Sequence, residues 1–393
     1  MIWRLATLAA ALACGGCASI PAAQPQAIKF DIAEPVSARD TGHPWIYETP
    51  ETIEGTDMSG ILAQHSSMLG REDLSAATGD KEYEPSACQP MAGSPIGTDA
   101  VIARIVDEAR KHRVVIINES HVVTSHRDFS RKLIAALRPE GFAVLAAETF
   151  GNNAADPDPV ETYDDLPYID RRIGYYSMEP VFGAMLREAK ALGYRFVAYE
   201  QVRDPNRERP DDWRISIRNR EIEQASNLAG VIESLRPDEK LIVHVGYSHA
   251  REAVVIGDDG WEHAWMAARL KRITGIDPLT IDQTYCRGSS DSVQLAMESG
   301  DKQGWFDIYI DHPLPAFIYG KPAWRLDGVE TVPIPEQLRP VDGPLVIEAF
   351  AEGEPFDAVP YDRIWAEPGE DIKLALPPGR YTLRAVRPNP EHE

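Results

Sequence analysis

The stretch Val114-Val115-Ile116-Ile117-Asn118-Glu119-Ser120-His121 decides how the rest of the chain is interpreted. Its first half is a β-branched apolar run typical of a buried strand, and its second half carries a carboxylate and an imidazole. A second stretch of this kind, 241–249, ends in Gly246-Tyr247-Ser248-His249. Open parallel sheets and barrels collect their ligands and catalytic groups just past the carboxyl ends of such strands. The two histidines are therefore the first candidates for a functional site.

Around these stretches, segments whose apolar residues recur at helical spacing alternate with continuous apolar runs typical of strands. Helix-then-strand units end in the apolar runs 114–117, 142–147, 194–198 and 241–245, and weaker strands follow at 279–281 and 308–310. This alternation predicts an α/β fold with a mostly parallel sheet flanked by helices. Beyond Lys321, Pro and Gly become frequent and short alternating runs appear, which predict a small C-terminal all-β module of antiparallel strands over 323–393.

The first residues have the features of an export signal. Arg4 precedes a short apolar run from Leu5 to Ala13, and small residues surround Cys17. We expect a lipoprotein signal peptide over 1–17 with lipidation at Cys17, and secretion without lipid is the alternative. A flexible tether rich in Ala, Pro and Gln would follow over 18–50, and the α/β domain would occupy 51–322 with its core at 99–319. The protein would then be an exported outer-membrane lipoprotein facing the periplasm or the cell surface, attached to the membrane by its lipid anchor only.

Two cysteines remain if Cys14 leaves with the signal and Cys17 carries lipid. They are Cys88 and Cys286. An oxidising compartment favours a disulfide between them, and two separate buried thiols are the alternative.

The charge of the chain limits its partners. A formal net charge of -22 opposes binding to phosphate backbones, because nucleic-acid binding needs a basic patch. We therefore expect a small-molecule partner and no nucleic acid. The sequence has no HExxH helix, Cys-rich zinc pattern, GxSxG elbow or Gly-rich phosphate loop, which disfavours standard zinc enzymes, serine hydrolases of that kind and nucleotide enzymes.

Each of the first four predicted strands has an acid or an imidazole at its carboxyl end. Because the sheet brings these ends together, we expect a shared site. The expected catalytic residues are Glu119, His121, Glu148 and His249, and the expected substrate contacts are His126, Glu200, Arg220 and Tyr247.

Two mechanisms fit this set. In one, a neutral histidine takes a proton from water while a neighbouring glutamate fixes its tautomer. In the other, the four catalytic candidates hold a divalent metal that lowers the pKa of bound water. Both mechanisms lead to hydrolysis, and they differ in their response to a chelator.

The stretch from Ile117 to Glu148 resembles the superfamily that joins erythromycin esterase-like hydrolases, ChaN-type haem-binding lipoproteins and Tiki or TraB-type proteins. In those families a Gly-Glu-x-His or GxxH segment opens the site, a glutamate ends the next strand and a second GxxH-like histidine closes it. Glu119, His121, Glu148 and 246–249 occupy the matching positions.

This resemblance implies three functions. The first is an exported hydrolase that cleaves an ester or amide-like bond and requires no cofactor. The second is a non-catalytic surface lipoprotein that binds haem or iron, with His121, His249 or Tyr247 as axial ligands. The third is a metal-dependent Tiki-like protease.

Overall fold

An eight-stranded sheet forms the centre of the computed structural model, which describes residues 27–48, 59–78, 81–86, 88–151, 167–202, 206–207, 210–297 and 304–388. In spatial order its strands are β3 (Gln89–Pro90), β11 (Gln294–Met297), β12 (Ile308–His312), β10 (Leu279–Arg287), β4 (Val114–Glu119), β7 (Lys240–Gly246), β5 (Phe142–Ala147) and β6 (Arg195–Val197). The strands from β12 to β6 run parallel, and β11 and β3 are antiparallel to their neighbours. The predicted α/β fold with a mostly parallel sheet is confirmed.

Seven α-helices lie within the described ranges. They are α1 (Ser59–Met68), α2 (Glu72–Ala77), α3 (Thr98–Ala109), α4 (Thr124–Leu137), α5 (Pro180–Ala191), α6 (Trp213–Ser234) and α7 (Met266–Thr274).

Both faces of the central sheet are buried. Successive side chains of β4 point to opposite faces, so Val115 and Ile117 pack in one apolar cluster with α3, α4 and α5. Val114 and Ile116 pack in a second cluster with α6 and α7. A parallel sheet that is covered on both faces requires continuous apolar runs in its strands. For this reason these strands could be predicted from the sequence.

A second sheet lies in the C-terminal region. It contains β1 (Lys29–Ile32), β2 (Val36–Ser37), β16 (Leu345–Ala351), β17 (Asp362–Ala366) and β19 (Arg380–Arg387). Three two-stranded ribbons complete the described strands: β8 (Val255–Ile256) with β9 (Glu262–His263), β13 (Phe317–Ile318) with β14 (Lys321–Pro322), and β15 (Glu330–Pro333) with β18 (Lys373–Leu376).

The N-terminal segment differs from the expected flexible tether over residues 27–48. Strand β1 pairs with β19 in parallel, and Ile46 and Tyr47 are fully buried. The reason is that this segment supplies an edge strand and two large side chains to the C-terminal sheet, which composition alone does not reveal. The expected signal peptide and Cys17 lie outside the described residues. No helix in the described part of the chain has the length and apolarity to cross a membrane.

The two remaining cysteines meet in space. Cys88 lies directly before β3 and Cys286 lies in β10, and the structure joins them in a disulfide across 198 residues of sequence.

Candidate functional site

The strand order brings the predicted site residues to one edge of the sheet. Strand β7 lies between β4 and β5, and β6 follows β5, so four strand ends are neighbours. A cleft of about 910 Å³ opens there, and we call it the strand-end cleft. Its lining includes His43, Trp45, His121, Glu148, Tyr175, Tyr176, Glu200, Arg220 and His249.

His121 is held by a buried carboxylate. Its Nδ1 lies 3.1 Å from Oε1 of Glu119, so the ring donates its Nδ1 proton and leaves Nε2 as an acceptor. Arg127 in turn donates to both oxygens of Glu119, at 2.9 and 3.0 Å. Burial opposes the ionised form of Glu119, but the Arg127 guanidinium holds its pKa well below the usual range. Glu119 is therefore a permanent anion that orients His121.

Glu148 lies near the Cε1 and Nε2 edge of the His121 ring, and both side chains pack against Gly246. Its Oε2 accepts the backbone N–H of Gly246 at 2.6 Å, and its Oε1 accepts from Arg220 at 2.6 Å. Burial would raise the pKa of Glu148, but the neighbouring histidines and Arg220 lower it to about 2. A carboxylate with such a pKa is a poor base at neutral pH, so Glu148 contributes fixed charge and position.

Arg220 is the central cation of the cleft. It donates through Nε and Nη2 to Glu200, through Nη2 to Glu148, and through Nη1 to Nε2 of His249 at 3.2 Å. A guanidinium has five N–H groups, so these contacts with described residues leave one N–H on Nη1 for a ligand. Arg220 thus presents an anchored positive charge to the cleft.

His249 is bound on its other side by Glu221. Its Nδ1 lies 2.7 Å from Oε1 of Glu221, an ion-pair contact with a buried carboxylate. Burial would lower the pKa of His249, but Glu221 and Glu148 outweigh that effect and raise the pKa. His249 therefore links two carboxylates and Arg220 in one network.

One side of the cleft consists of aromatic rings. Trp45 and Tyr175 stack with ring centroids 5.0 Å apart and planes 10° from parallel. Tyr176 stacks on His121 at 3.8 Å and 15°. We call Trp45, Tyr175 and Tyr176 the aromatic wall.

Some predicted residues lie outside the cleft lining. Tyr247 has a left-handed φ of 43°, and its hydroxyl accepts the backbone N–H of His121 at 3.2 Å. His126 is buried, and its Nδ1 accepts the backbone N–H of Ser120 at 3.0 Å. Burial keeps the pKa of His126 well below its usual range. Both side chains hold the turn after β4, and the expectation that they contact substrate stays a prediction.

Three parts of the site were not predicted from the sequence. They are Arg127, Glu221 and the aromatic wall. Glu221 had a usable signal, because it lies at helical spacing from the buried Ala225 and Leu228 on α6. Arg127 and the aromatic wall had none. Arg127 follows Glu119 by eight residues, but the turn between β4 and α4 decides that the two side chains meet, and the wall joins segments that are far apart in the chain.

A divalent metal does not fit the four catalytic candidates. Among residues that the structure describes, no group of three or more His, Cys, Asp or Glu side chains could hold a metal ion. The reason is that Arg127 occupies both oxygens of Glu119 and Arg220 occupies Glu148. A guanidinium inside the ligand set would repel a cation.

Solved structures with a partly similar fold are bacterial effectors and toxins. One is RRSP, a MARTX toxin effector domain from Vibrio vulnificus, with 17% identity, a TM-score of 0.35, and coverage of 64% of this chain and 46% of that one. Another is the type III effector HopBA1, with 16% identity, a TM-score of 0.37, and coverage of 58% and 99%. The chain spans less than half the length of the RRSP structure. No family model and no curated protein matches the sequence.

These comparisons correct the family assignment. Membership of the erythromycin esterase-like, ChaN-like and Tiki or TraB superfamily is wrong, and so is the description as an esterase-like or ChaN-like lipoprotein. No family model and no curated protein supports them, and the solved structures found are toxin effector domains. A Glu-x-His segment after a buried strand reflects where α/β sheets place polar groups, and it does not identify a family.

Proposed function

We propose that the protein is a hydrolase that cleaves an ester or amide-like bond with water activated by His121. The observation that carries the proposal is the chain of contacts from Arg127 to Glu119 to Nδ1 of His121, with the ring lining the strand-end cleft. The opposite Nε2 lies within reach of a bound water, because the described residues make no hydrogen bond to it.

The chemistry follows from this geometry. Nε2 of His121 takes a proton from water, and the resulting hydroxide adds to the carbonyl carbon of the substrate. The remaining N–H of Arg220 stabilises the negative oxygen that forms. The bond to the leaving group then breaks, and the imidazolium of His121 returns the proton to the leaving oxygen or nitrogen. Glu119 keeps the ring in the required tautomer throughout.

The test is turnover of a panel of uncharged alkyl and aryl esters and amides by the purified protein. His121→Ala should lower kcat/KM by roughly 10²- to 10⁴-fold, the range that a general base contributes. His263→Ala is the matched control, because His263 is exposed on β9 away from the cleft lining.

The folded state of His121→Ala is checked by circular dichroism. Equal turnover by the two variants would reject His121 as the base, and absence of turnover by the unaltered protein would reject the hydrolase. Dialysis against EDTA should leave turnover unchanged, and restoration of a lost activity by added metal would contradict the metal-free mechanism.

A further inference from the structure

The aromatic wall forms a continuous path of rings to the proposed base. Trp45 stacks on Tyr175, Tyr175 meets Tyr176 edge to face at 5.3 Å, and Tyr176 stacks on His121. Tyr175 is 41% exposed, so much of this large aromatic side chain is open to a ligand in the cleft. The planes of Tyr175 and Tyr176 stand at 90° to each other, so the rings form an angled apolar surface that ends at the reacting group. Such a surface is suited to a part of the substrate close to the bond that is cleaved.

A buried cluster of the C-terminal sheet holds this wall in place. Glu348 on β16 accepts from Tyr47 Oη, from Arg171 and from Arg363, each at 2.9 Å. Burial disfavours the ionised form of Glu348, but the surrounding arginines hold its pKa far below the usual range. We call these residues the Glu348 cluster.

Three members of the cluster are connected to segments that line the cleft. Tyr47 ends the short helical turn that contains Trp45. Arg171 itself lines the cleft, four residues before Tyr175. Arg363 donates to the carbonyl of Met178, which also lines the cleft. The cluster therefore joins the segments that carry the aromatic wall, and a prearranged wall costs less entropy when a ligand binds.

Charges of both signs line the cleft. Glu148 and Glu200 contribute two carboxylates, and Arg171, Arg172 and Arg220 contribute three guanidinium groups, of which Arg220 is bound by both carboxylates. The wall itself presents only aromatic rings, and an uncharged ring can lie against such a surface without the cost of desolvating a charge.

We propose that the aromatic wall is a subsite for a flat, uncharged ring of the substrate, and that the Glu348 cluster keeps this subsite assembled. The assignment to a substrate rests on the proposed hydrolase. The ring lies in the angle between Tyr175 and Tyr176, with the bond to be cleaved beside His121. The C-terminal sheet thereby builds part of the site.

Binding can be measured without turnover. We suggest NMR titration with 2-acetylnaphthalene, a flat neutral ketone that cannot be hydrolysed, and with its saturated counterpart 2-acetyldecahydronaphthalene. The unaltered protein should bind the flat ketone more tightly. Tyr175→Leu should raise the Kd of the flat ketone by roughly 2- to 12-fold, because an aromatic pair contributes about 0.5–1.5 kcal/mol. It should leave the Kd of the saturated ketone unchanged.

Two further variants separate the wall from its support. Tyr47→Phe keeps the buried ring but removes the hydroxyl between Arg171 and Glu348, and it should also weaken binding of the flat ketone. Trp213→Leu is the control, because Trp213 is 69% exposed on α6 and does not line the cleft. It should leave both Kd values unchanged.

The outcomes distinguish this proposal from the hydrolase. Equal binding of the two ketones, or an unchanged Kd in Tyr175→Leu, would overturn the ring subsite even when esters are hydrolysed. A preference for the flat ketone that Tyr175→Leu removes would support the subsite, and absence of ester turnover would then count against the hydrolase alone.

Discussion

At Gly246 the backbone approaches the site so closely that no side chain fits. A Cβ at this position would lie 2.5 Å from Cε1 and 2.6 Å from Nε2 of His121, and 3.0 Å from Oε2 of Glu148. The glycine is required for space, since its φ of -81° is open to any residue. The absence of one side chain therefore lets His121 and Glu148 meet.

Gly246→Ala should lower turnover by about 10²-fold or more. The added methyl group must displace the His121 ring and break its hydrogen bond to Glu119, which removes the oriented base. Steady-state kinetics on the best ester of the panel measure the effect.

The matched control is Gly230→Ala on α6, where a Cβ meets no atom within 4 Å. It should keep full turnover and stabilise the helix by about 0.5–1 kcal/mol. Full turnover in Gly246→Ala would mean that Nε2 of His121 takes no part in the reaction.

Helix α4 begins without a side-chain cap of its own, and a carboxyl group from α2 replaces it. The residue before the helix is Val123, which makes no capping hydrogen bond. Oε2 of Glu72 accepts the backbone N–H and the hydroxyl of Thr124. Burial is the dominant effect on Glu72 and raises its pKa to about 7. The helix that carries Arg127 thus depends on a carboxyl group that titrates near neutrality.

The free energy of unfolding should fall as pH rises from about 4.5 to 7. Glu72 binds its proton more tightly in the folded chain, so its contribution is fully present below its unfolded pKa and is lost as pH rises through its folded pKa. At 1.36 kcal/mol per unit of pKa the loss amounts to about 3 kcal/mol. Urea denaturation at several pH values measures it.

Glu72→Gln should remove this part of the pH dependence, because the amide resembles the protonated acid. Glu330→Gln, at an exposed position of β15, serves as the control and should retain the dependence. A profile of Glu72→Gln that overlays the unaltered protein would exclude Glu72 as the titrating group.

At the scale of the whole molecule, a disulfide and a strand pairing are two connections between described residues that lie far apart in the chain. The disulfide between Cys88 and Cys286 links the edge of the central sheet to β10. The second connection is the pairing of β1 with β19, which brings residues near both ends of the chain into one sheet. The Glu348 cluster then attaches that sheet to the cleft.

Replacing both cysteines with serine should lower the free energy of unfolding by about 2–4 kcal/mol, because the disulfide limits the freedom of the unfolded chain. Denaturation by urea measures the change. Reductant provides the control: it should bring the unaltered protein to the stability of the double variant and leave the variant unchanged. A stability that does not respond to reductant would show that the bond contributes nothing in solution.

The sequence by itself determined the six parallel strands of the central sheet and the place of four residues at its edge, and it did not indicate the antiparallel strands β3 and β11. Buried parallel strands need continuous apolar runs, and polar side chains directly after them must lie at the sheet edge, so Glu119, His121, Glu148 and His249 were readable from local patterns.

Only the tertiary structure decided which partners these residues have. Arg127 reaches Glu119 from a helix, Arg220 joins three strand ends, and Trp45 comes from a segment whose composition resembles a tether. Such contacts depend on the conformation of turns and on the packing of segments that are far apart in the chain, and a local pattern of apolar and polar residues does not encode them. For the same reason a short strand-end motif indicated a site but did not identify a family.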